Sequence, residues 1–127
     1  MRTVCVDTNI LARFFLGRKD ELGLKSWEII NGAEKGLYLI FLDQIVIAEL
    51  VWLLSSYYKY ERKEIGGLLM NFMGEKYIHI DGKNAMIRAV GLYQSTSLGF
   101  VDCWLAVISK SNGYELITFD KKLKKVG

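Results

Sequence analysis

Four acids stand where an acid needs a physical reason: Asp7, Glu49, Asp102 and Asp120. Asp7 and Asp120 each follow directly on a short apolar run, the position at which an open parallel sheet presents its strand ends to a ligand crevice. Either one alone also matches an ordinary helix N-cap. Glu49 and Asp102 lie inside the apolar stretches Ile45-Val-Ile-Ala-Glu-Leu-Val-Trp-Leu-Leu54 and Phe100-Val-Asp-Cys-Trp-Leu-Ala-Val-Ile108, with no lysine or arginine within a helical turn. Helices so apolar are expected to bury both carboxylates, which is costly unless a cation, a metal or good donors meet them. The plainer alternative is a carboxylate left exposed on an otherwise buried helix, or paired with a distant Arg13 or Arg88. One divalent centre accounts for all four acids together, because Mg²⁺ and Mn²⁺ prefer oxygen ligands and keep several waters. The chemistry that follows is metal-assisted hydrolysis of a phosphodiester.

Other chemistries lack their residues. A single histidine, His79, and no CxxC or HxxxH spacing exclude a structural zinc site, a His-ligated catalytic zinc and a two-histidine ribonuclease mechanism. Cys5 and Cys103 are expected to be free thiols. Nothing matches GxxxxGK[ST] or GxGxxG, so nucleotide-driven work is not expected. A phosphatase using Asp7 as nucleophile needs a second acid two residues on, where Asn9 stands instead.

The elements that must position these acids are short. Residues 3–6, 37–42, 77–80 and 115–119 predict four strands, and residues 9–16, 20–34, 44–58, 61–75, 83–96 and 100–112 predict helices, with a further short helix from Asp120. Strands alternating with helices form right-handed βαβ units. The expected fold is therefore α/β, a three-layer α/β/α domain with a central parallel sheet of four strands, or five with an added edge strand. At 127 residues, 51% of them hydrophobic and 24% charged, the chain is expected to be one folded domain over 1–127. Its uncharged apolar runs stop far short of the ~20 residues needed to span a bilayer, and a cytoplasmic protein is expected.

Four sequence blocks resemble those of the PIN-domain nucleases, a family that includes the toxin halves of VapBC toxin-antitoxin pairs. They are Val6-Asp-Thr-Asn-Ile-Leu11, Ile47-Ala-Glu-Leu50, Phe100-Val-Asp-Cys-Trp-Leu-Ala106 and Ile117-Thr-Phe-Asp-Lys-Lys-Leu123, in the family's order and spanning nearly the whole chain. The resemblance implies a metal-dependent endoribonuclease in which Asp7, Glu49, Asp102 and Asp120 hold Mg²⁺ or Mn²⁺ around the scissile phosphate. It implies the toxin of a type II toxin-antitoxin pair, with a small antitoxin as partner. Asn9 and Thr118 match the small polar residues beside the first and last acids and would orient the carboxylates. The alternatives are a PIN-like module that binds RNA or protein without cleaving, and a housekeeping RNA-processing nuclease. One departure is that the chain stops at Val126-Gly127, so the edge strand that follows the last acid in similar proteins is expected to be missing.

The net charge of +3 says little about RNA by itself, but its distribution is informative. Lys121, Lys122, Lys124 and Lys125 follow Asp120, and Arg13, Arg18 and Lys19 lie beyond Asp7. Arg13, Lys121 and Lys122 are the expected contacts to an RNA backbone that carboxylates alone would repel. Phe14 and Phe15 beside Arg13, and Tyr57, Tyr58 and Tyr60 around Lys59, interleave aromatic with basic residues as single-strand binders do; core packing or a dimer interface is the competing use. The apolar third and fourth helices, including residues 66–73, are expected to bury a face against a second copy, giving a homodimer.

Overall fold

The computed structural model describes residues 1–127. Three strands, β1 (Thr3–Cys5), β2 (Leu39–Phe41) and β3 (Ile78–His79), form a parallel sheet in the order β1-β2-β3. Val4 pairs with Ile40 and Ile40 with Ile78, so the three central residues point to one face. That face is the core: Ile40, Leu42, Ile78 and Ile80 are buried, whereas Thr3, Cys5 and His79 on the other face are exposed.

Each strand feeds a pair of helices. These are α1 (Thr8–Leu16) and α2 (Glu21–Glu34), α3 (Gln44–Trp52) and α4 (Arg62–Met73), then α5 (Lys83–Ser95) and α6 (Phe100–Asn112), with α7 (Lys121–Val126) last. Their ends follow from capping chemistry. Asp7, Asp20, Asp43 and Asp120 accept backbone N–H groups of the first turns of α1, α2, α3 and α7. Glu61 and Glu64 make a reciprocal capping box on α4. Gly17 ends α1 in the left-handed conformation, φ 64°, with its N–H on the carbonyls of Arg13 and Phe14.

The α/β class and the parallel sheet flanked by helices agree with the sequence, and two expectations need correction. The helix expected over 44–58 changes pitch: α3 stops at Trp52 and Leu53–Tyr57 continue as one π-helical turn, in which the Tyr58 N–H reaches the Leu53 carbonyl. The fourth strand, expected over 115–119, does not form. Its backbone makes no bond to any strand; the segment is tied down at its ends, where the Tyr114 N–H meets the Ser109 carbonyl and the Asp120 N–H meets the Thr118 hydroxyl. Alternating apolar residues give a segment two faces but cannot supply a pairing partner. Ile117 and Phe119 are consequently 82% and 99% exposed, forgoing the ~1.5–3 kcal/mol that burying each would contribute.

The core joins α1, α3, α4, α5 and α6 over the sheet, with Leu11, Ile40, Leu54, Ile65 and Val90 fully enclosed. Cys103 is buried, which raises its thiol pKa, while Cys5 is exposed. Truncation separates the two environments: Ile40→Ala should cost ~2–5 kcal/mol in metal-free denaturant unfolding. Ile117→Ala should cost under ~0.5 kcal/mol; equal costs would show that 115–119 is a buried strand after all.

Candidate active site

Asp7 leaves the sheet at the end of β1 and turns immediately into α1, where its carboxylate accepts the Ile10 N–H at 3.1 Å. It stays exposed and borders a largely apolar groove of about 700 Å³. That groove is lined by Val4, Cys5 and Val6 at β1 together with Tyr38 and Phe41 at β2, so it reaches across both paired strands. Ile10, Ile29 and Val46 close its sides.

The next residue, Thr8, is only 6% exposed and donates its hydroxyl to Glu49 Oε1, a bond between residues 41 apart in sequence. It fastens the start of α1 to the middle of α3 and fixes the Glu49 carboxylate one residue from Asp7. Sequence reasoning passed over Thr8 in favour of Asn9, yet Asn9 is exposed and makes no side-chain hydrogen bond. The signal was present: Thr8, Leu11 and Ala12 share one helical stripe and are all buried, and a hydroxyl on a buried stripe needs a partner.

Asp102 and Asp120 meet elsewhere. Asp102 is half-buried in the first turn of α6, and exposed Asp120 caps α7 by accepting the Leu123 N–H at 3.0 Å. Both line a polar groove of about 370 Å³ with Ser97, Gly99, Lys121 and Lys122. Lys122 donates to the Ser97 hydroxyl at 3.2 Å, and Thr118 accepts the Asp120 N–H at 3.0 Å, holding the turn into the acid. Lys121 and Lys122 thus line the same groove as the two acids. Arg13 does not: it lines a separate groove with Arg18, Lys19 and Trp27, and lies 4.0 Å from Asp20.

Neither acid embedded in an apolar helix is fully buried. Glu49 is exposed because α3 also turns Ile45 and Trp52 outward on the same face, 78% and 62% exposed, and none of the four acids forms an ion pair. Phe14 and Phe15 pack on Phe72 against the core, and Phe14 also borders the groove that Arg13 lines. The oxygen donors suit a hard divalent cation. They stand as two pairs, however, and no three His, Cys, Asp or Glu side chains are grouped closely enough to hold an ion.

The PIN-domain family model matches residues 4–127, a stretch that contains all four acids. The chain belongs to the PIN-domain family. A VapC ribonuclease of Aquifex aeolicus (strain VF5) is 28% identical over 123 residues, covering 96% of this chain and 90% of that protein. No solved structure matches. No helix of this PIN domain is long and apolar enough to cross a membrane.

The Thr8 bond can be tested by isosteric replacement. Thr8→Val removes the donor without opening a cavity and should lower RNA cleavage by roughly 10–100-fold, the scale of losing a group that orients a carboxylate in a working site. Thr8→Ser should restore most of it. Equal activity in Thr8→Val and wild type at matched folding, measured by circular dichroism, would show that the bond is merely structural.

Proposed function

We propose that this PIN domain is a metal-dependent endoribonuclease and the toxin of a type II toxin-antitoxin pair. One observation carries the proposal: the family match runs through all four blocks that contain Asp7, Glu49, Asp102 and Asp120. Likeness to a VapC ribonuclease over nearly the full length of both proteins supports RNA as substrate and an antitoxin as partner. The acids provide oxygen donors for Mg²⁺ or Mn²⁺, which when bound supplies an activated water and neutralises charge at the phosphate. Around them Thr8 holds the Glu49 carboxylate, Thr118 shapes the turn into Asp120, and Lys121 and Lys122 offer positive charge to a phosphate. Arg13 would meet the RNA backbone farther along α1, and a cytoplasmic location fits such a substrate.

A homodimer belongs to the same proposal, through a surface narrower than the one expected. Ile65, Leu69, Phe72 and Met73 of α4 are buried in the protein's own core, leaving Ile45 and Trp52 of α3 and Tyr57 of the π-turn exposed. A binding-only module is the weaker reading, because it gives no reason for four acids that have no cationic side chain paired with them.

Purified protein should cleave single-stranded RNA with Mn²⁺ or Mg²⁺ and be silent in EDTA. Asp7→Asn keeps the α1 cap yet should lower the rate at least about a hundredfold and shrink the gain in Tm on adding Mn²⁺. Cleavage unchanged in EDTA, or full activity in Asp7→Asn, defeats the metal mechanism. Light scattering at micromolar concentration should give about twice the 14.5 kDa chain mass; the single-chain mass counts against the dimer.

A further inference from the structure

A guanidinium is always charged and carries only donors, so a half-buried arginine with no carboxylate beside it needs another account. Arg62, at the start of α4, is such a residue: half-buried, and without an acid within ion-pair distance. Its donors go to two backbone carbonyls, that of Tyr93 at 2.9 Å through Nε and that of Leu98 through Nη2, while its Cζ lies over the Tyr93 ring, 3.8 Å from the centroid. We propose that Arg62 is a positioning residue of the nuclease, fixing through the Leu98 carbonyl where α6 begins and therefore where Asp102 stands.

The two carbonyls differ in kind. Tyr93 lies in the last turn of α5, whose final carbonyls have no partner within the helix and carry its partial negative charge, so a cation there is an ordinary C-terminal contact. The Leu98 carbonyl belongs to no helix. It sits in the connection 96–99, one residue before Gly99, the N-cap of α6. Aspartate side chains cap α1, α3 and α7, but α6, which carries Asp102, begins at a glycine with no side-chain cap. Its start is held from outside instead. Thr96 donates to the Leu92 carbonyl and accepts the Leu98 N–H at 3.3 Å, Lys122 reaches the Ser97 hydroxyl from α7, and Arg62 takes the Leu98 carbonyl from α4. The connection is thus clamped between the core and the helix that follows Asp120. Arg62 does not line the polar groove itself, so its effect passes through Asp102 and not through contact with RNA. A lysine cannot take its place, because one ammonium on a flexible stem lacks the planar fork that meets two carbonyls and stacks on a ring.

The inference rests on the nuclease proposal for its readout. Arg62→Lys keeps the charge, and circular dichroism should show it folded at the assay temperature. It should lower kcat at least about tenfold and weaken Mn²⁺ binding, measured by calorimetry, by a similar factor, with KM for RNA held within about twofold. Arg62→Gln, which keeps an N–H donor without the charge, is the second variant should the lysine misfold, with the same expectations. A double-mutant cycle identifies the acid: combined with Asp102→Asn, Arg62→Lys should change Mn²⁺ affinity by less than about twofold, whereas combined with Asp7→Asn the roughly tenfold loss should remain. Wild-type kcat and Mn²⁺ affinity in a folded Arg62 variant would reduce the residue to a helix C-terminal contact and overturn the inference alone. A raised KM with kcat unchanged would make it an RNA contact, and equal losses on both backgrounds would mean general loosening; either result also overturns it. Wild-type protein that neither binds Mn²⁺ nor cuts RNA would overturn this inference and the nuclease proposal together.

Discussion

Four carboxylates without an ion pair among them must be held in place by neutral donors and helix ends, and the candidate site depends on that constraint. Asp7 and Asp120 discharge part of their charge into the helix N-termini they cap, and Glu49 takes a hydroxyl from Thr8. Lysines stand only beside the Asp102 and Asp120 pair. The acids are thereby held apart as two pairs, each stabilised locally by a few neutral or partial charges. A fold that instead paired each acid with its own arginine would leave none of their oxygens free to meet anything else.

Much of the fold was legible because helix boundaries are written in short-range chemistry. Aspartates at 7, 20, 43 and 120 and glycines at 17 and 113 mark ends that the structure keeps. The three strands that formed were equally visible, as apolar runs feeding helices. The segment 115–119 carries the same local signal and is not a strand, since pairing depends on a neighbour more than a hundred residues away in the chain. Burial of Glu49 was misjudged for a related reason. A helix that is apolar all round suggests enclosure, but apolar side chains also cover much of any protein surface, and here Ile45 and Trp52 share the outward face with the acid.

The candidate site was legible as residue types and not as geometry. Glu49 and Asp102 stand out by their apolar surroundings and Asp7 and Asp120 by following strand-like runs, whereas the pairing of Asp102 with Asp120 beside two lysines is visible only in three dimensions. Thr8 was missed because it sits between two more conspicuous polar residues; its stripe with Leu11 and Ala12 held the information. Of the uses open to the aromatics flanking Arg13, core packing is the one seen. Phe14 and Phe15 pack with Phe72, while the exposed aromatic that accompanies Arg13, Arg18 and Lys19 is Trp27, one helix farther on.

The sheet order β1-β2-β3 is also the order of synthesis. Each new strand finds its partner already made, so the sheet can be laid down from its first strand as the chain emerges, without waiting for distant sequence. The acids do not share that convenience, being spread from Asp7 to Asp120. A growing chain therefore acquires a scaffold early and its complete set of acids late. Any chemistry that needs all four acids waits for Asp120, 113 residues after Asp7.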